Sequence, residues 1–163
     1  MTTILAGHTA PAFSLPALDG KNVELRAALA GGPVVLAFYK VSCPVCQFTF
    51  PFLERLHKGF GGDGVTFLGV SQDDASDSRE FCKEYGITFP NLVDGDRYPV
   101  SNEFGLTHVP TVLLIAPDGK VLVSGTGFSK ADLDQIAATL SRQTGKTVAA
   151  FTRADSVPDF KPG

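Results

Sequence analysis

Charge is scarce in this chain. Asp, Glu, Lys and Arg make up 19% of its 163 residues, and neither a low-complexity block nor an internal repeat interrupts it. With 44% hydrophobic residues, that composition supports a buried core and excludes a largely disordered protein. Basic clusters are missing as well. Fourteen Lys and Arg against 17 Asp and Glu give a net charge of -3 spread along the sequence, with no footprint for nucleic acid and no polybasic membrane anchor. No apolar run approaches membrane-spanning length, and residues 1–8 lack the basic and apolar regions of an export signal, so the expected setting is the cytoplasm. Cysteine is rare too. Three residues are an odd count, far too few for a disulfide scaffold, in a chain about one domain long.

Two of the three stand together as Cys43-Pro44-Val45-Cys46. A reducing compartment disfavours a purely structural disulfide, which turns such a pair toward catalysis or metal binding. A four-ligand metal site usually needs a second pair, and the remaining soft candidates, Cys82, His8, His57 and His108, are not at ligand spacing. No metal and no other cofactor is expected.

Periodicity places the pair. Ala12-Phe13-Ser14-Leu15-Pro16, an Asp19-Gly20 turn and Asn22-Val23-Glu24-Leu25 read as a hairpin. After a Gly31-Gly32-Pro33 breaker, Val34-Val35-Leu36-Ala37-Phe38-Tyr39 is the near-continuous apolar run of a strand covered on both faces. Residues 44–60 then carry Val45, Phe48, Phe52, Leu53 and Leu56 on one helical face, with Pro44 in the first turn and Pro51 inside as a kink. A second buried strand is expected over 65–70, helices over 76–85 and 100–104 and a short extended piece over 89–93. A hairpin of 111–115 with 121–124 follows, then an amphipathic helix over 130–141. Strands alternating with helices before a hairpin and a last helix mean an α/β fold, a central mixed sheet flanked by helices. Residues 1–145 form the expected domain, and 146–163 a C-terminal extension, packed on the body or partly mobile.

Cys43 therefore falls where a buried parallel strand ends and a helix begins, the end of an open α/β sheet that carries its chemistry. Unpaired N–H groups and the helix dipole at such a position favour the thiolate, the nucleophilic form of a cysteine. Cys46 lies one turn further in and is better shielded. This assigns Cys43 as the thiol that attacks a substrate disulfide and Cys46 as the resolving thiol.

Several ordered features resemble the thioredoxin superfamily over residues 7–141. The 34–39 run leads into the cysteine pair, and Pro51 stands eight residues after Cys43, where that family kinks its first active-site helix. Val109-Pro110-Thr111 opens a hydrophobic strand as the family's cis-proline does, and Gly127-Phe128-Ser129-Lys130 with Leu133 matches its passage into the last helix. The resemblance implies a thioredoxin-like fold with an N-terminal hairpin and an additional strand–helix unit between Cys46 and Pro110. It also implies that Val109 and Pro110 present backbone to an extended substrate beside the active thiol. The opening Gly7-His8-Thr9-Ala10-Pro11-Ala12-Phe13-Ser14-Leu15 narrows it to redoxins of the AhpC/TSA and TlpA/ResA-like type.

That group holds both thiol–disulfide reductases and peroxiredoxins. A peroxiredoxin site is expected to read Pro-x-x-x-Thr/Ser-x-x-Cys with a distant arginine. Taking Cys46 as peroxidatic puts Cys43 in the Thr/Ser place and Tyr39 in the Pro place, and leaves only Arg97 or Arg79 to reach in. Departures from thioredoxin are equally plain. Ser42 stands for its tryptophan, Ala37 for its buried acid, and Thr49 where many ResA-like proteins carry glutamate. His108, Lys40 and Tyr39 are the candidates for proton transfer to and from the resolving thiol, His108 first because it precedes Pro110 by two residues. Cys82 is either core filling or a resolving thiol of peroxiredoxin type.

The reading is thus a thiol–disulfide oxidoreductase that needs a disulfide-bearing protein or small-molecule substrate and an external thiol reductant. A peroxidase and a non-enzymatic redox-sensing or interaction module are the alternatives. The ending Asp155-Ser156-Val157-Pro158-Asp159-Phe160-Lys161-Pro162-Gly163 resembles redoxin tails in which Lys-Pro-Gly precedes a cysteine or selenocysteine, which raises the expectation of a chain running past Gly163.

Overall fold

Val34–Tyr39, the apolar run before the cysteine pair, is buried at every position and forms the middle strand of a five-stranded sheet. The structure, a computed structural model, describes residues 3–163. A hairpin of β1 (Ser14–Pro16) and β2 (Asn22–Glu24) leads into α1 (Leu25–Ala30) and β3 (Val34–Tyr39). Then come α2 (Pro44–Phe60), β4 (Thr66–Ser71), α3 (Ala75–Tyr85), β5 (Asn91–Val93) and α4 (Pro99–Glu103). The chain continues through β6 (Thr111–Ile115), β7 (Val121–Thr126), β8 (Phe128–Ser129), α5 (Lys130–Thr144) and β9 (Phe160–Lys161).

The sheet runs β5-β4-β3-β6-β7, parallel across its first three strands and antiparallel beyond β3. Strand alternation splits β3 between two cores. Val35, Ala37 and Tyr39 face a core built from α2, α3 and α5, including Phe50, Leu53, Phe81, Leu133 and Ile136. Val34, Leu36 and Phe38 face the other, closed by α1, α4 and the N-terminal hairpin through Leu25, Leu29, Phe104 and Leu15. Each such large apolar side chain contributes about 1.5–3 kcal/mol by leaving water, so both faces of β3 hold it rigidly in the middle. Parallel neighbours joined by α2 and α3 need right-handed crossovers, which puts these helices on one face.

Three expectations shift. The first hairpin is shorter than the sequence suggests, because Leu25 opens α1 instead of extending β2. Leu25 and Leu29, four residues apart, bury one helical face there, a period too short to stand out beside the glycine breaker. Strand β7 runs on to Thr126, and α5 continues to Thr144, where Gly145 ends it in the left-handed conformation.

Residues 146–163 pack back onto the body. The Arg55 guanidinium forks onto Asp155 at 2.7 and 3.1 Å and also donates to the Ala150 carbonyl at 3.0 Å. That fork, with the Thr152 backbone, holds the Asp155 carboxyl well below the usual carboxylate range. Beyond it, β9 pairs antiparallel with β8, matching Phe128 with Lys161. Among the described residues, no helix is long and apolar enough to cross a membrane.

Candidate active site

The β3–β6 register brings the site together. Phe38 lies opposite Thr111, so the residues just after β3 and those just before β6 meet at one sheet end although they are far apart in sequence. Cys43 caps α2. Its Sγ accepts the Cys46 backbone N–H at 3.2 Å and points its own hydrogen at the Val109 carbonyl, 3.6 Å away. Pro44 occupies the first helical turn, where a missing N–H costs nothing. The Val109–Pro110 peptide is cis.

The loop carrying Cys43 is held from two sides. Val41 N–H donates to the Asp73 carboxylate at 2.8 Å, the Gln47 side chain donates to the Val41 carbonyl at 2.9 Å, and Cys43 N–H closes a turn onto Lys40 O. Asp73 follows β4, the strand beside β3, and sequence reasoning missed it. Its place just past the end of a neighbouring parallel strand was the available signal.

The two thiols differ sharply in access. Cys43 is half-buried and lines a cavity of about 500 Å³ together with Lys40, Gln72, Tyr98, His108, Val109 and Gly163 among others. Cys46 is fully buried against Phe50 and its neighbours. Burial above all, then the Cys43 sulfur beside it, pushes the Cys46 thiol well up, while backbone groups of Lys40 and Cys46 itself pull weakly the other way. Such an arrangement leaves one sulfur open to the cavity and keeps its partner out of water.

The candidates for proton transfer separate. His108 and Lys40 are both exposed and both line the Cys43 cavity; His108 Nδ1 lies 3.1 Å from Thr107 Oγ1, and the Lys40 ammonium sits 5.7 Å over the Tyr98 ring. Tyr39 goes elsewhere. Its ring stacks between Phe50 and Phe81, and its buried hydroxyl has Ser71, Ser78 and Cys82 as polar neighbours, none at full hydrogen-bonding geometry. Burial, with Cys82 adding, drives that phenol far up. Thr49 is buried and spends its hydroxyl on the Val45 carbonyl at 2.7 Å, and Ala37 is equally buried. Neither arginine considered for a peroxide site lines the Cys43 cavity: Arg79 donates to the Leu18 carbonyl, and Arg97 lines a separate pocket with Asp73 and Asp74. The Lys161-Pro162-Gly163 ending stood out in the sequence, but nothing local put Gly163 at this cavity, because only the pairing of β9 with β8 delivers it there.

Comparison with known proteins agrees with this geometry. Residues 6–124 match the AhpC/TSA family. The thiol-disulfide oxidoreductase ResA of Bacillus subtilis (strain 168) is 35% identical over 126 residues, spanning 77% of this chain and 69% of that protein. A putative thiol:disulfide interchange protein DsbE from Chlorobium tepidum superposes with a TM-score of 0.75 at 26% identity, covering 86% of this chain and 98% of its own. Peroxidoxin BcpB from Mycobacterium tuberculosis superposes with a TM-score of 0.74 at 28% identity, over 85% of this chain and 97% of its own. A pair of thiols at a strand–helix junction, on a thioredoxin-like fold shared with these proteins, makes the chain a thiol–disulfide oxidoreductase that belongs to the AhpC/TSA family.

Proposed function

We propose that Cys43 is the attacking thiol, Cys46 the resolving thiol, and the Val109 backbone the edge against which a partner disulfide is presented. One observation carries the assignment: Cys43 alone of the pair reaches open space, at a helix start and 3.6 Å from the Val109 carbonyl, while Cys46 is sealed beneath it. The Cys43 sulfur attacks one sulfur of the substrate disulfide, forming a mixed disulfide and releasing the first thiol. Cys46 then attacks Cys43, gives up its proton, and releases the second thiol, leaving a Cys43–Cys46 disulfide. Two electrons pass from the protein to the substrate, and an external thiol reductant restores the pair.

His108 is the proton acceptor favoured for the second step, with Lys40 the other candidate for proton transfer, since both line the cavity above Cys46 and, among the described residues, no Asp or Glu side chain does. A reducing, cytoplasmic setting belongs to the same proposal, and fractionation of cells carrying the native protein checks it. Peptide mapping of the oxidised protein tests the pairing: a Cys43–Cys46 link is expected, and a Cys46–Cys82 link overturns it. For His108, the expected result of His108→Ala is a shifted pH profile for Cys46 attack; an unchanged profile removes the role.

Likeness to a peroxidoxin favours a second reading, thiol peroxidase activity. The reduced protein then consumes hydroperoxide faster than it consumes a disulfide. Comparing the two rates on one preparation decides between them.

A further inference from the structure

The C-terminal strand lies along β8 beside the active site and ends against the Val109 carbonyl. Lys130 N–H donates to the Asp159 carbonyl at 2.9 Å, β9 pairs with β8, and the Lys161 ammonium lies 4.6 Å over the ring of Phe48, two residues past Cys46 on α2. The fit beyond β9 is close. A side chain on Gly127, already at a φ of +80°, puts its Cβ 2.5 Å from the Lys161 carbonyl oxygen, and one on Gly163 comes 2.1 Å from the Val109 carbonyl oxygen. Backbone thus lies against backbone from Gly127 through 161–163 to Val109, and Gly163 becomes a wall of the Cys43 cavity.

We propose that this strand converts an open substrate edge into a pocket, so that the protein selects low-molecular-weight disulfides over disulfides embedded in folded proteins. The inference rests on Cys43 being the attacking thiol. With residues 161–163 docked, the Val109 carbonyl is flanked by the Cys43 sulfur on one side and Gly163 on the other, which leaves no room for a further strand to pair there. The remaining cavity, about 500 Å³, is of the size that holds a small ligand, with apolar walls from Pro44, Leu106 and Val109 and polar groups from Gln72, Asn102 and Thr107. A small disulfide RSSR fits the exchange with full balance: two protein thiols become one disulfide, and RSSR becomes two RSH. A protein disulfide needs the strand to lift off first.

The test compares bis(2-hydroxyethyl) disulfide with insulin as oxidants of the reduced full chain, each rate divided by that of dithiothreitol with the same disulfide. The small disulfide is expected to be favoured by about tenfold or more after this correction. Gly163→Val, which drives its side chain into the Val109 carbonyl, and Arg55→Ala, which removes the distant Asp155 anchor, are each expected to raise the insulin-to-small-disulfide ratio severalfold. Alkylation gives a readout independent of turnover: in either variant, Cys43 labelling by a polyethylene-glycol maleimide rises relative to labelling by iodoacetamide. Equal normalised rates in the wild type, or ratios untouched by both variants, overturn the proposal. Cys43→Ser separates this failure from a deeper one, because continued activity of that variant on both disulfides removes the attacking-thiol assignment itself.

Discussion

Cys43 and Cys82 pack against the same core, yet they stand at opposite ends of their helices. Cys43 caps the start of α2, where free N–H groups point at its sulfur and one of them, from Cys46, reaches it at 3.2 Å. Cys82 lies in the last turn of α3, where its carbonyl accepts the N–H groups of Gly86 and Ile87 and the dipole is of the sign that opposes a thiolate. Its thiol is pushed up by burial above all, against a smaller pull from the Tyr39 hydroxyl, with the charge of Glu54 adding least. Place within a helix and access to a cavity separate the cysteine proposed to react from the one packed in the core.

The strongest way to break this contrast is Cys43→Ser. Disulfide-reduction turnover is expected to fall by about a thousandfold or more, because the nucleophile itself is gone. Cys46→Ser comes next. Steady-state turnover is expected to drop by about a hundredfold, while a single release of one leaving thiol persists and mass spectrometry finds the substrate linked to Cys43.

Alkaline unfolding sharpens the buried side of the comparison. Since folding raises the Cys46 value above its ordinary 9.0, the unfolded thiol loses its proton first, and the unfolded state binds fewer protons at high pH. Stability is therefore full below the ordinary value and falls as pH rises through it, by at most about 1.4 kcal/mol per pH unit for this group. Denaturant titrations of the reduced protein at and above pH 9 are expected to show a shallower decline in Cys46→Ala than in the wild type; equal slopes contradict the burial argument. The smallest effect belongs to Cys82→Ala. Turnover is expected to stay within about twofold, with a stability loss of about 1 kcal/mol from the vacated space. A large loss of peroxide-driven turnover in that variant instead moves Cys82 into the chemistry.

Legibility followed range in sequence. The Val34-Val35-Leu36-Ala37-Phe38-Tyr39 run, Pro44 at a helix start and the amphipathic α5 are local patterns, and their elements appear with ends displaced by only a few residues. Helix α1 escaped because six residues carry too short a period to stand out beside a glycine breaker. Tyr39 stands close to the pair in sequence yet does not line the Cys43 cavity, since strand alternation turns its ring into the core beside Phe81 while the chain runs on to Cys43. Asp94 is a similar case: its buried carboxylate caps α4 through Val100 and Ser101 and so sets one wall of the cavity, a role that needs the fold to be seen.

By itself, the sequence determined that a thiol pair begins a helix directly after a buried strand, because hydrophobic period and proline position act within one or two turns of chain. Only the tertiary structure decided what faces the pair. Antiparallel pairing of β6 with β3 sets Val109 against Cys43, and pairing of β9 with β8 carries Gly163 to the same cavity. Contacts across such separations are selected by the packing of whole faces, which no short stretch of residues encodes.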